Sequence, residues 1–205
     1  MTALRLLFAV VLSAIIPMPA AHADGLKAAF LGDSYVLGIG ASDPGHGWAP
    51  LVAQREGWDI ETFAAGGSGY DTDTPTDTNL GGRVPQLVAS NPNVVVISGG
   101  LNDWHALNIS PSSVFFAVRD TFNKVRAGLP NARIIGVGPT FTDGKITDDR
   151  IAFDKAVNDA TTAVGGKFVS LFQPPVIQPG MVLPDHIHVN DAGHQAIANR
   201  VVSAT

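Results

Sequence analysis

Four consecutive β-branched residues, Val94-Val95-Val96-Ile97, stand between Asn91-Pro92-Asn93 and Gly99-Gly100, and no other stretch narrows the fold as much. A strand with water on one face alternates apolar and polar side chains. A run without alternation fits a strand buried on both faces, as in a parallel sheet covered by helices. Less marked short strand candidates recur at 27–31, 59–63, 133–137 and 167–171. Between them lie helix candidates at 48–56, 84–90, 113–128, 148–164 and 191–202. This alternation predicts one three-layer α/β/α domain built on a five-stranded parallel sheet. Asn91-Pro92-Asn93 and Gly128-Leu129-Pro130-Asn131 supply helix stops before two of the strands.

The domain is expected over residues 24–205, after an export signal at residues 1–23. Arg5 gives the signal its positive charge, Leu6 to Ile16 is almost wholly apolar, and Ala21-His22-Ala23 fits a small-x-small cleavage site. The apolar run is well short of the roughly 20 residues that span a bilayer as a helix, so no permanent membrane anchor is expected. A secreted or periplasmic protein follows from this reading. There are no cysteines, which excludes disulfide stapling, a thiolate nucleophile and a Cys-ligated zinc. The net charge is −5 and the 13 Lys and Arg are scattered, so nucleic acid is not an expected partner.

In an open parallel sheet, ligands bind beyond the carboxyl ends of the strands. Four chemically suitable segments fall at such positions. Gly32-Asp33-Ser34 follows the first strand, the Gly-, Asp- and Thr-rich stretch Gly66 to Asn79 follows the second, and Gly99 to Asp103 follows the third. Asp185-His186-Ile187-His188 precedes the last helix. A serine hydroxyl is a poor nucleophile unless a histidine takes its proton and a carboxylate orients that histidine. Ser34, one of the two histidines, and Asp185 supply these types.

With these segments in this order the chain resembles the SGNH, or GDSL, hydrolase family. Gly32-Asp33-Ser34 matches its first block, Gly69 within Ala65-Gly66-Gly67-Ser68-Gly69 its second, Gly100-Leu101-Asn102-Asp103 its GxND block, and Asp185-His186-Ile187-His188 its DxxH block. The resemblance implies strand order 2-1-3-4-5, a Ser34 nucleophile, a His188 base and an Asp185 orienter. It also implies an oxyanion hole made of the Ser34 amide, the Gly69 amide and the Asn102 side chain, with Gly67 the competitor for the second-block role. The implied activity is hydrolysis of carboxylic esters, short acyl or acetyl, with small-molecule, carbohydrate or lipid esters as substrates. Thioesterase, lysophospholipase and carbohydrate deacetylase are alternatives within the family, and a noncatalytic envelope-binding protein is the alternative outside it.

One departure from the family pattern concerns the second block. Many members carry an Asn shortly before its glycine, where this chain has Phe63-Ala64-Ala65, so the loop must be supported from elsewhere. A GxSxG elbow, an HExxH helix, a Walker A loop and a GxGxxG fingerprint are all missing, and no motif calls for a metal or nucleotide cofactor. Trp104 and Tyr70 are candidates either for lining the pocket or for plain packing. His46, His105 and His194 carry no assigned chemistry.

Overall fold

The computed structural model describes residues 25–205. The expected export segment, residues 1–23, lies outside the described residues. The sheet contains β1 (Leu26–Gly32), β2 (Trp58–Ala64), β3 (Val94–Ser98), β4 (Arg133–Val137) and β5 (Lys167–Val169). All neighbours pair in parallel, in the order β2-β1-β3-β4-β5. This is the α/β architecture expected from the alternation of strands and helices, in the strand order that the family resemblance implies.

The side chains of β1 and β3 do alternate, but between two apolar layers. Ala28, Phe30, Val94 and Val96 face a core built with Trp48, Val52, Ile197 and Val201. These come from α1 (Trp48–Glu56) and α6 (Asp191–Val202). Ala29, Leu31, Val95 and Ile97 face the opposite core. That side is covered by α2 (Leu80–Ala89), α3 (Trp104–Ile109), α4 (Pro111–Gly128) and α5 (Asp148–Ala163). All five residues of β3 are buried. Each fully buried Val or Ile contributes roughly 1.5–3 kcal/mol against exposure, which makes this strand the anchor of both layers.

Two helices differ from the expectation. The second begins at Leu80 rather than 84, because the Asn79 side chain caps the Gly82 amide at 3.0 Å and draws Gly81-Gly82 into the first turn. Trp104–Ile109 forms a short helix that the sequence reading leaves as loop. β5 stops at Val169, two residues early. Ser170 Oγ accepts from the Phe172 and Gln173 amides at 3.1 and 2.8 Å and turns the chain out of the sheet.

The sheet is directional. β1 starts at Leu26 on the amino edge and delivers Gly32 to the carboxyl edge. α6 starts three residues after His188 and returns, so that Thr205 Oγ1 donates to Glu56 Oε1 at the end of α1, 2.7 Å away. Both ends of the described chain therefore lie on the edge opposite the loops that carry chemistry.

Candidate active site

Ser34 is the second residue after β1 and is 8% exposed. Its presentation begins with Gly32, where an added Cβ would collide with the Ser98 carbonyl and Val36. Only glycine lets β1 end this close to β3. The chain then coils, with the Leu37 amide on Asp33 O at 3.2 Å and the Ile39 amide on Ser34 O at 3.0 Å. Asp33 is buried and its Oδ1 accepts from the Tyr35 amide at 2.9 Å. Burial, with Asp103 adding like charge, pushes the Asp33 carboxyl up to about 7.

The base loop is brought to Ser34 from 154 residues away. His188 Nε2 lies 3.0 Å from Ser34 Oγ, and His188 Nδ1 lies 2.7 Å from Asp185 Oδ2. With the proton on Nδ1 facing the carboxylate, Nε2 is left as an acceptor toward the serine. Asp185 has a second task. Its Oδ1 accepts from the amides of Ile187 and His188, both at 2.9 Å. Those backbone donors, the His188 amide first, hold its carboxyl down at about 2. His186 has φ +59 and its side chain stands outside this chain of hydrogen bonds, so of the two histidines it is His188, the one at DxxH spacing, that contacts Ser34.

Blocks two and three lock together around a buried carboxylate. Asp103, with no exposure, accepts from the amides of Tyr70 and Asp71 at 2.7 and 2.9 Å and from Thr72 Oγ1 at 2.9 Å. Asn102, in the 3₁₀ turn Leu101–Asp103, spends one Nδ2 proton on Ser68 O at 2.9 Å and keeps the other. Gly69 is placed by the same carboxylate, since a Cβ there would collide with Asp103. Its N–H donates to Thr72 O at 2.8 Å, which commits it inside the loop. The expected second-block donor is thus already engaged. Gly67, the competitor, takes φ +83, and Gly66 is the loop glycine beside Ser34, an added Cβ lying 3.9 Å from that of the serine.

Arg83 is the residue that sequence reasoning missed. It reaches from α2 with 5% exposure, and its Nη2 donates to Gly32 O at 2.8 Å and Ser68 Oγ at 2.9 Å. Its Nε donates to Phe63 O at 3.3 Å and its Nη1 to Thr78 O. One guanidinium thus ties the residue before Asp33 to the second-block loop. It gives the support that Phe63-Ala64-Ala65 lacks. The signal available was an arginine inside an otherwise apolar helical face, Leu80, Val84 and Leu87 being its buried companions.

The remaining candidates separate cleanly. Tyr70 is buried between Phe122 and Phe153, both ring centroids at 6.4 Å, and is core rather than pocket lining. Trp104 is partly exposed and packs edge-on against Phe141. His194 is fully buried, with Nε2 on Ile39 O at 3.2 Å and burial lowering its pKa, so its role is structural. Leu37, Ile39 and Ile187 form exposed apolar points on the segments that carry Ser34 and His188.

This geometry meets comparison with known proteins on the same residues. The model of the GDSL-like lipase/acylhydrolase family matches residues 30–196, from β1 into α6. The chain is 24% identical over 181 residues to the GDSL lipase Rv0518 of Mycobacterium tuberculosis, covering 84% of this chain and 78% of that one. Among solved structures, TesA superposes with a TM-score of 0.73 at 20% identity over 87% of this chain and 97% of its own. A carbohydrate esterase family 2 enzyme of Corynascus thermopiles superposes with 0.70 at 21% identity, over 91% and 67%. The chain belongs to the GDSL-like lipase/acylhydrolase family and is an ester-hydrolysing enzyme.

Proposed function

We propose that the protein is an exported serine esterase that cleaves short acyl or acetyl esters through an acyl-enzyme on Ser34. The observation that carries this reading is the unbroken relay from Ser34 Oγ to His188 Nε2 at 3.0 Å and from His188 Nδ1 to Asp185 Oδ2 at 2.7 Å. Ser34 Oγ attacks the acyl carbon while its proton passes to His188 Nε2. Asp185 stabilises the imidazolium that forms. The C–O bond to the alcohol then breaks as Nε2 returns the proton to the leaving oxygen. Water repeats the sequence on the acyl-enzyme, releasing the acid and restoring Ser34.

The charge on the former carbonyl oxygen needs donors aimed at it beforehand. The Ser34 amide and the free proton of Asn102 Nδ2 are the donors that fit this role. Gly69 would serve only by exchanging Thr72 O for the oxyanion. Apolar Leu37, Ile39 and Ile187 around the relay suit a small acyl group. A carbohydrate ester as the alcohol side draws support from the carbohydrate esterase among the structural neighbours. Export rests on residues 1–23, and the protein is expected outside the cytoplasmic membrane.

Fluorophosphonate labelling tests the nucleophile directly. The protein should be labelled on Ser34, and Ser34→Ala should lose both label and turnover while keeping its circular dichroism spectrum. Label retained in that variant would refute the assignment. Nitrophenyl esters of increasing chain length, beside acetylated sugars and acyl thioesters, should show the highest kcat/KM for the short esters.

A further inference from the structure

The loop that carries His188 is a tight turn whose polar groups divide by side. On its amide side, Asp185 Oδ1 takes the N–H groups of Ile187 and His188, and the His186 N–H donates to Leu183 O at 2.9 Å. The Leu183 amide then closes the turn onto His188 O at 2.8 Å. The carbonyls of His186 and Ile187 find no donor within this turn. Each instead accepts from a hydroxyl brought by a different part of the fold. Tyr35 Oη donates to Ile187 O at 2.6 Å, and Thr142 Oγ1 donates to His186 O at 2.7 Å.

Tyr35 is the residue next to the nucleophile. Its ring is 3% exposed, packed in the core, with its centroid 6.0 Å from the His188 ring and 6.4 Å from the His194 ring. Its own amide is held by Asp33. A closed circuit results: Ser34 is bonded to Tyr35, Tyr35 to the Ile187 carbonyl by hydrogen bond, and Ile187 to His188, whose Nε2 returns to Ser34. Each member limits the separation of the two reacting side chains. Burial raises the Tyr35 phenol pKa well above its ordinary value, which keeps the hydroxyl a donor at any working pH. Thr142 secures the preceding carbonyl from the loop between β4 and α5. That carbonyl belongs to His186, whose backbone sits at φ +59, a conformation non-glycine residues hold only with support from their surroundings.

We propose that Tyr35 and Thr142 are positioning residues for the hydrolytic reaction, acting through the Ile187 and His186 carbonyls to fix the His188 ring against Ser34. This rests on the reading of Ser34 as nucleophile and His188 as base. Neither hydroxyl touches a reacting atom, so its loss should appear in turnover and not in substrate binding.

The test uses Tyr35→Phe, Thr142→Val, Thr142→Ser and the Tyr35→Phe/Thr142→Val double variant of the full chain. Misplacing a catalytic group by a fraction of an ångström should lower kcat about tenfold in each hydroxyl-deleted single variant, with KM within about twofold of wild type. The rate of fluorophosphonate labelling should fall in step with kcat. Thr142→Ser, which keeps the donor, should restore the wild-type rate, and the double variant should lose more than either single. Wild-type kcat and labelling rate in Tyr35→Phe and Thr142→Val would overturn the inference while leaving the proposed reaction standing. A fall in KM-controlled binding alone, or in rate only where melting temperature collapses, would also overturn it. A wild-type protein that labels nowhere would remove the nucleophile assignment and this inference together.

Discussion

Asp33 and Asp185 each stand beside one partner of the serine and histidine pair, and their surroundings drive them in opposite directions. Asp33 is buried below the serine with the Tyr35 amide as its hydrogen-bond donor, and burial outweighs that bond and raises its pKa to about 7. Asp185 is 44% exposed in its side chain, takes two backbone amides and the imidazole, and is held at about 2. The contrast shows what holds the Asp185 carboxylate charged beside an imidazolium: several donors that reward its charge, which Asp33 lacks. The nucleophile end of the site is built for fixed shape, and the base end for fixed charge.

The sharpest break of this comparison comes at the base. His188→Ala should cut kcat by about 10⁴–10⁶, as removal of a triad base does elsewhere, whereas His186→Ala should stay within about fivefold of wild type. Steady-state kinetics on one nitrophenyl ester decides it, and the reverse ranking would move the base to His186. Asp185→Asn should follow, with a loss of about 10²–10⁴ in kcat, because the amide accepts the two backbone bonds but carries no charge for the imidazolium. The same variant should lose part of the acid limb of stability. Asp185 is depressed in the fold, so its contribution is present above the ordinary value of roughly 4 and disappears as pH falls through about 2.

At the nucleophile end the larger effect should be on folding. Arg83→Met removes the donor for Gly32 O, Phe63 O, Thr78 O and Ser68 Oγ together. Urea unfolding should report a loss of about 2–4 kcal/mol, since buried carbonyls are left unpaired. Asp33→Asn should have the smallest effect and the opposite pH window. A carboxyl raised in the fold stabilises fully below roughly pH 4, and that stability is lost as pH rises through about 7. Asparagine keeps the oxygen that accepts from Tyr35 and has nothing to ionise. Between pH 4 and 8 the variant should gain steadily on wild type. A difference that does not change with pH would mean that the fold does not raise the Asp33 pKa.

What could be read from the sequence was whatever its own neighbours determine. The β-branched run at Val94–Ile97 marked the central strand, Pro and Gly marked its borders, and two short motifs carried the residues that meet at 3.0 Å across 154 positions. Arg83 was not legible, because its meaning lies in carbonyls contributed by β1, β2 and the following loop. The engagement of the Gly69 N–H was not legible for a related reason. A glycine in the right motif says that backbone approaches something closely, and here that something is the Asp103 carboxylate, with the N–H turned to Thr72. Tyr70 reads equally as pocket or core until Phe122 and Phe153 are seen on either side of it.

Because Gly25 enters β1 and Val202 leaves α6 on the edge away from Ser34, the molecule has a mounting side and a working side. Attached to a bead, a carrier domain or a cell surface through either end of residues 25–205, it would present the serine outward, toward a substrate too large to diffuse. A display or immobilisation format needs no circular permutation to leave the site unobstructed.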